Sequence, residues 1–420
     1  MSATAPLPEW RPRLLAPQDA APRRASGRAG ASRAALLDEV ERSGLLGRGG
    51  AGFPLARKLR TVAAARSAVV VANGCEGEPG SRKDTVLLTA APDLVLDGIQ
   101  TAAWLVGAKR AYLAVHEGSR ALAPVRTALA RRSDAVPVTL TEVPARYVSS
   151  EETALVNLIN GGPALPTFTP PRPFERGVGK RPTLINNVET LAQLSLVATR
   201  GADWFRQVGD PDEPGTQLVT VSGPGATGAV DRLVLEIETG ASVGEVLAAA
   251  GVDLSASRAV LVGGYFGTWH SASSVVHLPL THRGLRATGG ALGAGIVIAL
   301  PAGSCGLAET ARVLAYLAEQ SAQQCGPCLN GLPAIAGALR SLALGPWDEK
   351  LAPALDRWLT VVPGRGACRH PDGAVRLAIS ALQVFAADVE AHRRGRPCAG
   401  LAVRPTLPLP RQGARVGGLS

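Results

Sequence analysis

Between residues 34 and 45, Leu36, Leu37, Val40 and Leu45 recur at helical spacing and predict an amphipathic helix. A glycine loop follows, Gly47-Arg-Gly-Gly-Ala-Gly52. Pro54 then suits the first turn of a second helix, which carries Arg57 and Lys58. The unbroken apolar run at 68–72 reads as a buried strand, and a polar loop from Asn73 to Asp84 follows it. A long helical pattern runs on to about residue 108. Strands near 111–115 and 136–140 flank a helix containing Val125 and Leu129. This alternation implies a mostly parallel sheet covered on both faces. Ser149 and Glu152 stand at capping-box spacing before another helix. Residues 163–182 are proline-rich and irregular, and a connection of that length inside a domain is usually functional or mobile. A helix over 188–199 closes this unit.

From Thr216 the pattern changes. Short strands at 218–222, 233–237 and 259–262, with a helix at 243–250, fit a small mixed module of β-grasp type. The apolar run at 291–300 is too short to cross a membrane and reads as a buried strand. Beyond Pro301 the spacing is helical at 308–320, 332–342, 351–360 and 374–392, which predicts a bundle. The expected class is multidomain α/β. The expected division is a disordered arm (1–33), an α/β ligand-binding domain (34–213), the β-grasp domain with a connecting strand (214–303), a helical bundle (304–395) and a flexible tail (396–420).

A net charge of +10 invites a nucleic-acid reading. Basic residues are scattered and aromatics sparse, so no stacking platform is visible, and nucleic acid is not expected as a partner. The N-terminal stretch has no apolar core of a secretory signal, and six cysteines in such a chain point to a reduced cytoplasm and to metal or redox use. Direct membrane insertion is not expected.

Gly47–Gly52 is not an ordinary dinucleotide fingerprint, because a helical pattern precedes it rather than a strand. Its glycines still let a phosphate approach the backbone, and the helix beyond offers free N–H groups; a ligand-free tight turn is the alternative. The loop from Asn73 lies at the carboxyl end of a strand, where open α/β sheets bind ligands. There Asn73 suits a flavin edge or a ribose, and Glu76 and Glu78 offer acceptors, against the alternative of a solvated turn. Gly177-Val-Gly-Lys180 imitates part of a phosphate loop. Arg181 stands where a magnesium-binding Ser or Thr belongs, so a nucleoside triphosphatase is rejected.

Cys325-Gly-Pro-Cys328 matches a thioredoxin-type dithiol, but it lies in a helical region without a preceding strand. With Cys368 it makes three of the four thiolates an iron–sulfur cluster takes, or three ligands of a zinc site. His370 would complete either site, or is an exposed loop histidine. Cys305 and Cys398 read as packing thiols.

Five segments in order resemble the flavin- and NADH-binding subunit of respiratory complex I and related hydrogenase diaphorases. They are Gly47-Arg-Gly-Gly-Ala-Gly-Phe-Pro54, the loop from Asn73 through Glu76-Gly-Glu-Pro-Gly-Ser-Arg-Lys-Asp84, Tyr147-Val-Ser-Ser-Glu-Glu-Thr-Ala-Leu155, Pro182-Thr-Leu-Ile-Asn-Asn-Val-Glu-Thr190 and the cysteine set. The resemblance implies a Rossmann-like FMN-binding domain, with Gly47, Arg48, Gly49 and Lys58 on the FMN phosphate and ribityl chain. It implies Asn73 and Glu76 along the flavin, Tyr147, Ser150, Glu151 and Glu152 opposite, and Asn186 and Asn187 near the phosphate. Phe53 and Glu78 would meet the nicotinamide nucleotide, with Glu78 and Glu152 orienting it for reaction. Cys325, Cys328 and Cys368 would hold a 4Fe-4S or incomplete cluster in the bundle.

The implied function is electron transfer from NAD(H) or NADP(H) through FMN to the cluster. From there electrons pass to a ferredoxin-like or thioredoxin-like subunit or a quinone-linked acceptor. The implied setting is the cytoplasm, free or at the periphery of a membrane complex. The chain departs from the family at Cys75 (Asp in the family), at Ser149-Ser150 (Cys-Gly), at Arg172 (an aromatic) and at Ala322 (the first cluster cysteine). These departures motivate a second reading, a degenerate paralogue that docks flavin or partners without dehydrogenase activity. A third is a thiol–disulfide enzyme using Cys325 and Cys328.

Overall fold

The computed structural model describes residues 9–16, 32–65, 67–396, 398–402 and 404–410. The chain opens with α1 (Arg33–Ser43) and α2 (Leu55–Ala63). An α/β unit follows: β1 (Val69–Asn73), α3 (Lys83–Ala90), α4 (Pro92–Val106), β2 (Ala111–His116), α5 (Leu122–Ala130), β3 (Val138–Val143), α6 (Glu152–Ile159), β4 (Thr183–Asn187) and α7 (Val188–Arg200). The four strands form one parallel sheet in the order β3-β2-β1-β4. Val69 to Ala72 of β1 are buried without a break, as a central parallel strand covered on both faces requires. Chain order reverses between β1 and β4, where Asn73 pairs with Asn187 and Ala72 with Asn186. The carboxyl ends of two such diverging strands leave a crevice for a ligand.

After the short α8 (Ala202–Phe205) comes a second sheet: β5 (Thr216–Gly223), β6 (Val230–Glu238), α9 (Val243–Ala249), β7 (Ser257–Val262), β8 (Thr268–Ser271), α10 (Ala272–Val275), α11 (His282–Ala287) and β9 (Ile296–Pro301). Its order is β6-β5-β9-β7-β8, with β5 and β9 parallel and the other pairs antiparallel. Alternation along the strands sorts two faces. Val260 and Val262 pack with Val243, Val246 and Leu247 of α9. Ala259 and Leu261 face the other way, into a core shared with the helices that follow. Those are α12 (Gly306–Glu319), α13 (Leu332–Leu344), α14 (Leu351–Val361), α15 (His370–Val384) and α16 (Ala386–Arg393).

The structure corrects several expectations. β4 and β8 were not anticipated; both are short and lie beside turn-rich sequence that hides their apolar pattern. The long helix before residue 108 is two, divided at Ala91–Pro92, because proline lacks the N–H that would continue the ladder. The capping box expected at Ser149 is absent; Glu151 is the N-cap of α6 and accepts from Thr153 N and Ala154 N. The arm placed at 1–33 is not wholly disordered. Leu14 is fully buried, and the N–H groups of Arg13, Leu14 and Leu15 donate to the Glu236 carboxylate at 2.8–3.0 Å. The flexible tail placed at 396–420 is likewise held in part. Thr406 N and Leu407 N donate to Glu309 at 2.7 and 3.1 Å, and Leu407 is buried. The rest of both expectations, at 1–8, 17–31, 397, 403 and 411–420, lies outside the described residues. Among the described residues no helix is long and apolar enough to cross a membrane.

Candidate functional site

A cavity of about 570 Å³ opens at the carboxyl ends of β1 and β4. Its floor is the glycine loop and its far wall belongs to the bundle, through Cys368, His370 and Arg376. Gly47, Gly49, Phe53, Lys58, Asn73, Glu76, Glu78, Tyr147, Ser150, Glu151, Glu152, Asn186 and Asn187 all line it. Arg48 does not. Its N–H donates to Thr190 Oγ1 at 2.9 Å, and its buried guanidinium turns away to Pro214 O at 3.0 Å, with Glu189 and Glu213 nearby.

The glycine loop is pinned by backbone contact. Gly50 has φ +103°, and a Cβ there would lie 2.9 Å from Gly293 O. Only glycine accommodates both that conformation and that approach. Lys58, on α2, donates to Ile185 O at 2.5 Å and stands 4.0 Å from Glu152. Burial lowers its pKa, opposed by Glu152. Phe53 is 45% exposed at the mouth.

Asn187 caps α7 through Glu189 N and donates to Asp84 at 2.8 Å. Asn73 accepts from Cys75 N and donates to Ser150 O. Asn186 differs from both: its side chain is 8% exposed and its Nδ2 has no hydrogen-bond partner. A buried donor left unpaired costs roughly 1–3 kcal/mol, which an acceptor in the cavity would recover. Beneath the loop, Lys83 is 3% exposed and pairs with Asp84 and Glu189, both at 2.8 Å. Glu189 also accepts from Leu218 N of β5, so this network ties the two sheets together under the site.

The carboxylates divide in role. Glu76 accepts from Ser81 Oγ, Asp84 N, Thr85 N and Thr85 Oγ1, which fixes the start of α3. Glu151 is the cap of α6. Glu78 accepts from Tyr147 OH at 2.6 Å and from Tyr265 N. Burial pushes its pKa up to about 7 against those hydrogen bonds. The Tyr147 ring packs on Phe266 and His370, so one residue joins the α/β unit to the bundle.

In the bundle, Cys328 lies within a π-helical turn, Pro327–Gly331, and Cys325 just before it; such a distortion is frequent at functional sites. Burial opposes ionisation of Cys325, yet the N–H groups of Ala367 and Cys328 and the Cys328 thiol outweigh it and lower its pKa. Burial pushes Cys328 up to about 12, helped by the nearby Cys325 and Cys368. The three thiols are thus mutual neighbours, and Cys368 also faces the cavity. His370 is not the exposed loop residue of one expectation. It is 4% exposed; Nε2 lies 2.7 Å from Leu317 O, and Nδ1 has no partner. Ser321 is fully buried and sets its hydroxyl beside Cys328, next to Ala322.

Two family models match the chain: the Nuo51 FMN-binding domain over residues 40–196 and the NADH-ubiquinone oxidoreductase-F iron-sulfur binding region over 308–392. The NADH-quinone oxidoreductase F subunit of Salmonella typhimurium is 30% identical over 383 residues, covering 85% of this chain and 84% of that protein. The chain belongs to the family of NADH-quinone oxidoreductase F subunits. The F 2 subunit of the Rhizobium meliloti enzyme is 29% identical over 386 residues, covering 86% of this chain and 90% of its own. A chain of an NAD+-reducing NiFe-hydrogenase in the air-oxidized state superposes with a TM-score of 0.83 at 30% identity, covering 91% of this chain and 67% of that one. The H2-reduced state gives 0.77 at 29%, with 62% of that chain covered. Within the family frame, Arg376, Gly293, Ser81 and Thr190 also line the cavity and were missed by sequence reasoning. Ser81 and Thr190 lay inside quoted motifs, while Arg376 and Gly293 carry no local signal.

Proposed function

We propose that this chain is the electron-input subunit of an NAD(P)H-oxidising flavoprotein, binding FMN in the cavity and an iron–sulfur cluster at Cys325, Cys328 and Cys368. The observation that carries the reading is the cavity itself: glycine loop, unpaired Asn186 donor and cluster cysteine share one enclosure. The residues fit FMN: the mouth is aromatic, the interior cationic at Lys58, and one buried amide awaits an acceptor. Three positions fit a cluster, and the fourth, Ala322, supplies no ligand. When bound, FMN supplies the chemistry that accepts a hydride and releases single electrons.

The chain's own residues bind and orient. Lys58 and the Asn186 amide meet the anionic end of the cofactor, with Asn187, Gly47 and Gly49 shaping the backbone around it. Arg48 acts only through its main chain, its side chain bracing the loop from behind. Asn73 and Glu76 form the side of the cradle, and Tyr147, Ser150 and Glu151 the opposing wall. Phe53 stacks on the incoming nucleotide, while Glu78 and Glu152 orient it by accepting hydrogen bonds from its hydroxyl or amide groups. The middle module is a β-grasp domain that closes the cavity through Gly293. The chain divides at residues 34–213, 214–303 and 304–395, with one face of the second sheet packed into a core shared with the helices that follow. The next carrier is a ferredoxin-like or thioredoxin-like subunit. The family match favours this reading over the degenerate paralogue and over a thiol–disulfide enzyme.

The test is anaerobic reduction of purified, FMN-loaded chain by NADH and by NADPH, with ferricyanide as acceptor. Turnover with either nucleotide supports the reading. A background rate from a fully FMN-loaded chain contradicts it.

A further inference from the structure

A second set of metal-ligating atoms lies outside the flavin site. Cys305 Sγ, His392 and Cys398 Sγ come from three separate segments, and their ligand atoms all lie within 4.8 Å of one another. Cys305 Sγ is 3.8 Å from His392 Nε2. Ligand bonds of about 2.3 Å to sulfur and about 2.0 Å to nitrogen in a tetrahedron call for edges of just that order. From these positions we infer a zinc site of two thiolates and one imidazole, its fourth position filled by water.

The surroundings are built for it. Cys305 is the N-cap of α12, where Sγ accepts from Ala308 N at 3.4 Å, which fixes the sulfur at the helix start. His392 Nε2 accepts from Cys398 N at 3.2 Å, so it is the unprotonated nitrogen, the form a metal needs. Arg258 sets the distance between two of the ligands: it donates to Ser304 O at 3.0 Å and pairs with Asp388 of α16 at 2.7 Å. Gly400 lets the third ligand come close, since a Cβ there would lie 2.5 Å from Cys305 N. Cys305 and His392 are buried, whereas Cys398 is half-buried and leaves room for solvent at the fourth position. Binding would displace the Cys398 N–H from Nε2 and release the protons of both thiols.

The ion would staple the C-terminal segment to the bundle. That segment continues to Leu407 on Glu309 and to Pro408, whose carbonyl accepts from Tyr265 OH. Tyr265 N in turn donates to Glu78 in the cavity, so the staple supports one wall of the flavin site from behind.

The test uses the full chain purified anaerobically under reductant, with metal content measured for wild type, Cys398→Ser, His392→Asn and the triple variant Cys325→Ser/Cys368→Ser/Cys328→Ser. Zinc present in wild type and in the triple variant, and lost in Cys398→Ser and His392→Asn, is the expected result. Reconstitution with Co2+ should give thiolate charge-transfer bands that vanish in the same two variants. Cys398 is half-buried on the terminal segment, so its variant leaves the core intact. Zinc content unchanged in both of these variants overturns the assignment. So does zinc-free wild type that gives no such bands with Co2+, or a Cys305–Cys398 disulfide recovered from the reduced preparation.

Discussion

The flavin cradle and the cysteine turn of the bundle meet at one cavity, but they are finished to different degrees. In the cradle nearly every polar group is spoken for: Glu76 and Glu151 cap helices, Asn187 caps α7, and Lys83 balances Asp84 and Glu189. The Asn186 donor stands out as unpaired, and it faces the space a cofactor would fill. In the bundle three thiols gather without a fourth, with the Ser321 hydroxyl beside Cys328 and His370 Nδ1 unpartnered. A site completed by protein alone is rigid before its ligand arrives. A site short of a ligand depends on what it binds to be complete.

The contrast breaks hardest at Lys83. Lys83→Met leaves Asp84 and Glu189 buried without their cation, and unfolding free energy should fall by about 3–5 kcal/mol in denaturant titrations. A loss under about 1 kcal/mol would mean the network under the cradle is not the rigid base described. Asn186→Ala should leave the stability of cofactor-free protein unchanged, because Nδ2 has no protein partner to lose. FMN affinity should weaken about tenfold by fluorescence titration, the value of roughly one hydrogen bond to a charged acceptor. Equal affinity would remove Asn186 from the cradle.

Ala322→Cys sharpens the other half. Iron per chain after anaerobic reconstitution should rise to that of a four-thiolate cluster, with a sharper low-temperature magnetic resonance signal. Unchanged iron and signal would show that the bundle already completes its cluster by another group.

The smallest effect is a pH dependence. Glu78 has its folded pKa raised to about 7 from 4.5 by burial. Between those values the native state binds more protons than the unfolded one, so this group's contribution to stability falls as pH rises. Thermal midpoints of Glu78→Gln and wild type should therefore converge or cross in favour of the variant from pH 5 to pH 8. A difference that stays flat would show that Glu78 is not held in its raised state.

Much of this was legible in the sequence because the cradle is written in contiguous segments. Glycine loop, strand end and capping carboxylates each announce a local structure, and the parallel sheet joins their ends. The five-residue strand β4 escaped notice, although Asn186 and Asn187 on it were singled out. Its neighbours Pro182 and Val188 mask a pattern too short to show a period. Arg48 was legible as a loop residue but not in direction, since only the fold decides which way a side chain turns from a glycine-rich backbone. Cys305 and Cys398 read as packing thiols because nothing local links them. Cys305 meets His392 of α16 directly across the fold, and Cys398 joins them through the return of the terminal segment, whose ordered residues sequence composition had marked as flexible.

The central claim is that the cavity holds FMN within reach of the bundle's cysteines and reduces it with a nicotinamide nucleotide. It is tested most directly by loading purified chain with FMN and adding NADH under anaerobic conditions while recording the visible spectrum. The account predicts stoichiometric FMN uptake and bleaching of the flavin band, followed by a cluster signal in magnetic resonance that is absent in Cys368→Ala. A chain that takes up no FMN, or whose bound FMN stays oxidised with both NADH and NADPH, would contradict it.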